Sequence, residues 1–237
     1  MAALASLLTP PAETLIYVGG YTGRGGRGIY GFRFDPASGK VTPIGLAAET
    51  SNPSFLTVHP NGRFLYAVNE DNAGMVLSFE IDRPTGMLKA INAVSSRGSG
   101  PCHLELDRTG RWLFVANYTS GSIAVLPVRD DGSLGAATAA VQHSGSSVNP
   151  QRQSGPHAHS VNISPDNRFL LVADLGLDRI LVYRFDAFQR RPGPGRTRLR
   201  PDGGRLRATP PGLESGRESG VCPDRNAGVG RRDELRR

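Results

Sequence analysis

The chain has only two cysteines, Cys102 and Cys222, and they stand in different regions. A disulfide framework is therefore excluded as an organising principle, and a reducing compartment fits. No apolar run approaches the roughly 18–20 residues of a membrane-spanning helix, so no membrane partner is expected. The opening MAALASLLTPP has no basic stretch ahead of its short apolar run. That argues against a secretory signal, and a cytoplasmic location is expected. Phosphate-cradling and dinucleotide-binding fingerprints are missing. The glycine-rich GGYTGRGGRG follows a first strand and leads into a hairpin, so it reads as a loop. The histidines have no matched cysteines or carboxylates at metal-ligand spacing. Neither a cofactor nor a metal is expected.

The formal net charge of +7 would suggest nucleic acid if it were spread along the chain. It is not spread. Phe188 to Arg237 holds 13 Arg against 6 Asp plus Glu, a net of +7, so residues 1–187 sum to zero. The tail has no Lys, one aromatic (Phe188) and no sustained apolar period. Such a composition cannot bury enough apolar surface to fold alone, so residues 188–237 are expected to be disordered and without sheet. Phosphate contacts from a basic tail carry no sequence information, and no specific nucleic-acid partner is expected.

What the chain does have is repetition. PSFLTVHPNGRFLYAVNED from Pro53, PCHLELDRTGRWLFVANYT from Pro101 and PHAHSVNISPDNRFLLVADLG from Pro156 align. Each holds an alternating strand, a polar turn, an Arg-aromatic pair and a second apolar strand. The pairs are Arg63-Phe64, Arg111-Trp112 and Arg168-Phe169, spaced by 48 and then 57 residues. A third strand follows in each unit, then a tight turn such as DRPTGML or RDDGSLG and a fourth strand. GIYGFRFDPASGKVTPI is a similar half-unit, earlier in the chain. Period-2 alternation and turns rich in Gly, Asp and Pro mark strands, not helices. Four short antiparallel strands per unit predict an all-β fold of propeller blades. A β-sandwich is disfavoured by repeats this regular.

YVGGYT, HPNGRFLYAVNE, GPCH, FVANYTSGSIAV and GPHAHSVNISPDNRFLLVADLGLDRILVY together resemble the lactonase family of seven-bladed propellers. Its name member is the propeller-type 6-phosphogluconolactonase, and a relative is carboxymuconate cycloisomerase. The resemblance covers residues 14–187, after an N-terminal segment of residues 1–13. It implies a partial propeller of three to four blades and a hydrolase acting on a small-molecule sugar lactone, most simply 6-phosphogluconolactone. A non-catalytic propeller scaffold and a muconate-type cycloisomerase are the alternatives, because fold alone does not choose function.

Lactone hydrolysis needs a base to activate water and a positive group for the developing oxyanion. The resemblance places such groups on innermost strands. His157 and His159 in GPHAHS are the catalytic candidates, and a neutral imidazole suits base work near pH 7. Counting forward from Pro156 favours His157 as the channel-facing one. Counting back from Arg168 puts His159 in the column of Cys102. His103 in GPCH and Glu70 in VNED are candidate substrate-binding residues, near corresponding inner-strand positions. Asn69, Asn117 and Asp174 share a column at strand ends, expected to make turn hydrogen bonds.

The character of the chain changes after YRFDA, inside a hairpin. Read one base later, codons available to Arg207–Ala227 can spell a further unit of the family. The chain is therefore expected to be truncated and out of frame after about residue 187, a natural Arg/Gly/Pro-rich tail being the alternative. In cycloisomerase relatives the key histidine works with an arginine and a glutamate of the following blade, and the shifted frame hides these at Thr209 and Arg225. The 237-residue chain is accordingly expected to be a poor catalyst.

Overall fold

The computed structural model describes residues 13–187 and 197–201. They form four antiparallel sheets in chain order. Sheet 1 has three strands, β1 (Thr14–Val18), β2 (Gly28–Asp35) and β3 (Lys40–Glu49). Sheet 2 is β4 (Leu56–Val58), β5 (Phe64–Asn69), β6 (Met75–Ile81) and β7 (Leu88–Ser95). Sheet 3 is β8 (Pro101–Leu106), β9 (Trp112–Asn117), β10 (Ser122–Pro127) and β11 (Ala139–Gln142). Sheet 4 is β12 (Ala158–Ile163), β13 (Phe169–Asp174), β14 (Arg179–Ala187) and β15 (Thr197–Pro201). Among the described residues the only helical turn is the short Thr22–Arg24 segment in the glycine-rich loop.

The sheets stack face to face, with the first strands of sheets 2, 3 and 4 neighbouring one another and the last strands in contact between sheets 1 and 2 and between sheets 3 and 4. This is the fan of a partial propeller. Period-2 alternation explains the stacking. In β9, Trp112, Phe114 and Ala116 pack toward sheet 4, while Leu113 and Val115 pack toward sheet 2. In β5, Phe64, Tyr66 and Val68 face sheet 3, and Leu65 and Ala67 face sheet 1. Both strands are buried at every position, so they read as continuous apolar runs. The end sheets are one-sided: β1 and β13 alternate between more and less exposed positions. Each fully buried Leu, Val or Phe stabilises the stack by roughly 1.5–3 kcal/mol. The Phe114 and Phe185 rings meet edge to face at 4.9 Å across the seam between sheets 3 and 4.

One expectation is corrected. Thr197–Pro201 lies in the basic tail, yet it pairs with β14 as the fourth strand of sheet 4, Phe185 opposite Leu199. Leu199 packs against the apolar seam between sheets 3 and 4, which is enough to hold one strand. The rest of the predicted tail, 188–196 and 202–237, lies outside the described residues, as do Thr209 and Arg225.

Candidate functional site

Three polar residues close the second strands of sheets 2, 3 and 4, and each reaches back to the segment leaving the preceding sheet. Asn69 Nδ2 donates to Thr50 Oγ1 at 3.0 Å and to the Ser51 carbonyl. Asn117 Nδ2 donates to the Ser96 carbonyl at 3.1 Å. Gly98 must be glycine here, since a Cβ would lie 2.4 Å from that Nδ2. In sheet 4 the amide is replaced by a carboxylate, and Asp174 Oδ2 meets His143 Nδ1 at 2.6 Å. Its Oδ1 accepts the backbone N–H groups of His157 at 2.8 Å and Leu177 at 3.0 Å. Burial alone would push the Asp174 carboxyl up. The bonds from His143, His157 and Leu177 outweigh it and hold the carboxyl below its ordinary value.

Asp174 thus anchors the backbone where GPHAHS enters the innermost strand of sheet 4. His157 precedes β12 and His159 lies within it. In β8, Pro101 opposes Asn117 and His103 opposes Ala116, leaving Cys102 in a bulge. In β12, Ala158 opposes Asp174 and Ser160 opposes Ala173, leaving His159 in the same place. His159 therefore stands in the column of Cys102. His157 stands outside the strand that holds His159, and Tyr118 of the preceding sheet brings the two together. Its ring stacks on His157, centroids 4.5 Å apart and planes 16° apart, and meets His159 edge-on at 5.5 Å. The Tyr118 carbonyl lies 3.0 Å from His157 Nδ1. A carbonyl only accepts, so that nitrogen carries the hydrogen. The Tyr118 hydroxyl takes a hydrogen bond from Arg152 Nη2 at 3.3 Å.

Glu70 does not sit on an inner strand. It follows β5, in the place that Tyr118 holds after β9. Its Oε2 accepts from Tyr21 Oη at 2.9 Å and from Ser54 Oγ. Cys102 lies between this carboxylate and the histidines, its thiol donating toward the Ala158 and His159 carbonyls at 3.6 and 3.5 Å. Burial, and then the charge of Glu70, push its pKa up to about 12, so it is no thiolate nucleophile at neutral pH.

His103 is on β8 but turned across the seams. Its ring lies 4.1 Å from that of Phe55, and its Nδ1 accepts from the Val161 N–H at 3.4 Å. Burial, and then His159 nearby, hold its pKa below the ordinary value, which keeps the ring neutral. Glu105, two residues on, accepts the Ile163 N–H at 3.2 Å. These two side chains satisfy N–H groups on the inner edge of β12.

A cavity of about 550 Å³ opens on sheet 4, lined by His159, Ser160, Asp174, Leu175 and Ile180 among others. Ile180 is 52% exposed on it. No group of three or more metal-ligating side chains occurs among the described residues, and no helix among them is long and apolar enough to cross a membrane. Tyr118, His143 and Arg152 are the members of the cluster that the sequence reading passed over. Tyr118 could have been found, because it occupies the column of Glu70.

Residues 15–204 match the family described as lactonase, 7-bladed beta-propeller. A 6-phosphogluconolactonase of Bacillus subtilis is 34% identical over 169 residues, covering 71% of this chain and 48% of that protein. One from Formosa agariphila is 32% identical over 197 residues, covering 76% and 56%. The solved structure of a periplasmic gluconolactonase from Pseudomonas aeruginosa is 43% identical, with a TM-score of 0.68 over 73% of this chain and 50% of that one. The chain spans about half the length of the curated relatives it matches.

Proposed function

This chain belongs to the lactonase family of seven-bladed β-propellers, and on that premise we propose that it is a sugar-lactone hydrolase whose preferred substrate is 6-phosphogluconolactone. The observation that carries the reading is the gathering of His157 and His159 on Tyr118, with His159 lining an open cavity. One imidazole takes a proton from water as the hydroxyl oxygen adds to the lactone carbonyl. The bond from that carbon to the ring oxygen then breaks, and the imidazolium returns its proton to the leaving oxygen. The net change is one water added and one hydroxy acid released, with the histidine restored. Glu70 and His103 bind the sugar hydroxyls. Glu70 is already arranged as an acceptor for two hydroxyls, and His103 has its Nδ1 occupied, which leaves Nε2 for substrate. No cofactor is required, and the location we favour is the cytoplasm.

The cavity lies open on sheet 4 with Arg179 among its lining residues, and a following blade would bring the cation that meets the oxyanion. Loss of one preorganised oxyanion donor costs about 10²–10³ in rate. The 237-residue chain alone is therefore a weak catalyst. The test compares hydrolysis of 6-phosphogluconolactone by this chain and by a version completed with the remaining blades. Equal activity would show that no following blade is needed; inactivity of both would remove the lactonase reading. The Pseudomonas relative supports a second substrate, unphosphorylated gluconolactone, to be assayed in parallel.

A further inference from the structure

We infer that Tyr118, carried by sheet 3, is the positioning residue of the histidine pair on sheet 4, and that it makes Nε2 of His157 the basic nitrogen. Four contacts from this one residue converge on the site. Its carbonyl takes the hydrogen of His157 Nδ1 at 3.0 Å, which fixes one tautomer and leaves the Nε2 lone pair free. Its ring lies almost parallel to His157, at 16°, and almost perpendicular to His159, at 89°. Such stacked and edge-on pairs hold ring orientation as well as adding contact. Its hydroxyl accepts from Arg152, whose guanidinium makes no ion pair among the described residues and so keeps its charge for an anionic substrate group.

The backbone around this contact is built for close approach. Gly121 has φ +62°, and a Cβ there would lie 2.3 Å from the Pro156 carbonyl. The turn after Tyr118 can therefore press against the residue before His157. On the other side, Asp174 holds the His157 N–H at 2.8 Å. The ring is thus fixed from the preceding sheet and the backbone from its own. Related positions are put to different use: Glu70 in sheet 2 accepts from Tyr21 and Ser54, and sheet 4 has Leu175 there.

The tautomer is read without substrate. In the ¹⁵N-histidine-labelled 237-residue chain at about pH 8.5, above the ordinary imidazole range, long-range ¹H–¹⁵N correlations should show His157 protonated at Nδ1 and bare at Nε2. The signals are assigned by their loss in H157Q. An Nε2–H tautomer at His157 overturns the inference. Tyr118→Leu keeps the carbonyl but removes the ring and hydroxyl, so the ring-current shifts on His157 and His159 should vanish while the tautomer stays. If those shifts survive in a folded Y118L protein, Tyr118 does not position the pair. The kinetic arm rests on the lactonase reading and uses whichever form hydrolyses the lactone. There Y118L should lower kcat roughly tenfold, and Tyr118→Phe should recover most of kcat while raising KM, because it keeps the stack and loses the Arg152 contact. Indistinguishable Leu and Phe variants would refute the stacking role. If no form hydrolyses a lactone, the functional reading fails and the tautomer and ring shifts alone decide the positioning role.

Discussion

His143 and Asp174 share a 2.6 Å hydrogen bond with side chains 1% and 0% exposed, in the place where the two preceding sheets use an asparagine against a backbone carbonyl or hydroxyl. Asp174 also receives two backbone N–H groups. Asp174→Ala would leave three donors, two of them buried and one half-buried, without an acceptor and should destabilise the chain by about 3–5 kcal/mol. Asp174→Asn should cost less, because its Oδ1 keeps both backbone bonds. Urea midpoints of the two variants decide this. An alanine variant within about 1 kcal/mol of the parent would mean that the bond network is not a structural anchor.

The same carboxyl sets a pH dependence. Its folded pKa lies below the ordinary carboxylate value. The stability it contributes is therefore fully present above the unfolded value of about 3.9 and is lost as pH falls through the folded value. Thermal midpoints should drop in the acid range below about pH 4, and Asp174→Asn should flatten that drop. An unchanged acid slope in the variant would assign the loss to other carboxyls.

Cys102 should be slow to alkylate. Burial first, then Glu70, push its thiol up to about 12, so at pH 8 it carries roughly a thousandfold less thiolate than an ordinary cysteine. In a Cys222→Ser background, iodoacetamide should label the native chain far more slowly than the urea-unfolded one. Comparable rates in the two states would contradict the packing against Ala158 and His159.

Glu105 guards an edge. Its carboxylate accepts the Ile163 N–H at 3.2 Å, a group that no strand pairs among the described residues. Glu105→Ala should cost about 1 kcal/mol, whereas Glu105→Gln, which retains a carbonyl acceptor, should cost much less. If both lose the same amount, the charge and not the hydrogen bond is what matters. Increased aggregation of the alanine variant, read by light scattering, would follow from the exposed edge.

Much of the fold was legible because the repeat has a fixed inner grammar. The Arg-aromatic pairs mark the starts of β5, β9 and β13, and alternation sets which residues face which seam. The column Asn69, Asn117 and Asp174 could be read from the alignment, but its partners could not. Thr50, Ser96 and His143 differ in type and lie in crossovers with no period, so local pattern says nothing about them. The same holds for Arg152, in a loop held by Gln153, whose side chain accepts from Asn149 N–H and donates to the Leu175 carbonyl. Counting from opposite ends gave two answers for GPHAHS because β12 contains a bulge, and periodicity of two fails across a bulge. Thr197–Pro201 was misread because its arginines outweigh Leu199 in any compositional measure. Pairing to β14 depends on backbone and on that one apolar contact.

The polar column points in one direction along the chain, and that has a consequence for how the protein can be shortened and how it emerges from the ribosome. Each latch is held by the later sheet and closes on residues already synthesised: Asn69 on Thr50 and Ser51, Asn117 on Ser96, Asp174 on His143. A sheet leaving the exit tunnel therefore always meets a finished partner, and docking can proceed vectorially from the N-terminus. Deletions from opposite ends are not equivalent. Removing everything after His143 leaves the first two latches closed, whereas removing everything before Pro53 strips Asn69 of both acceptors and leaves a buried amide stranded at the root of the stack.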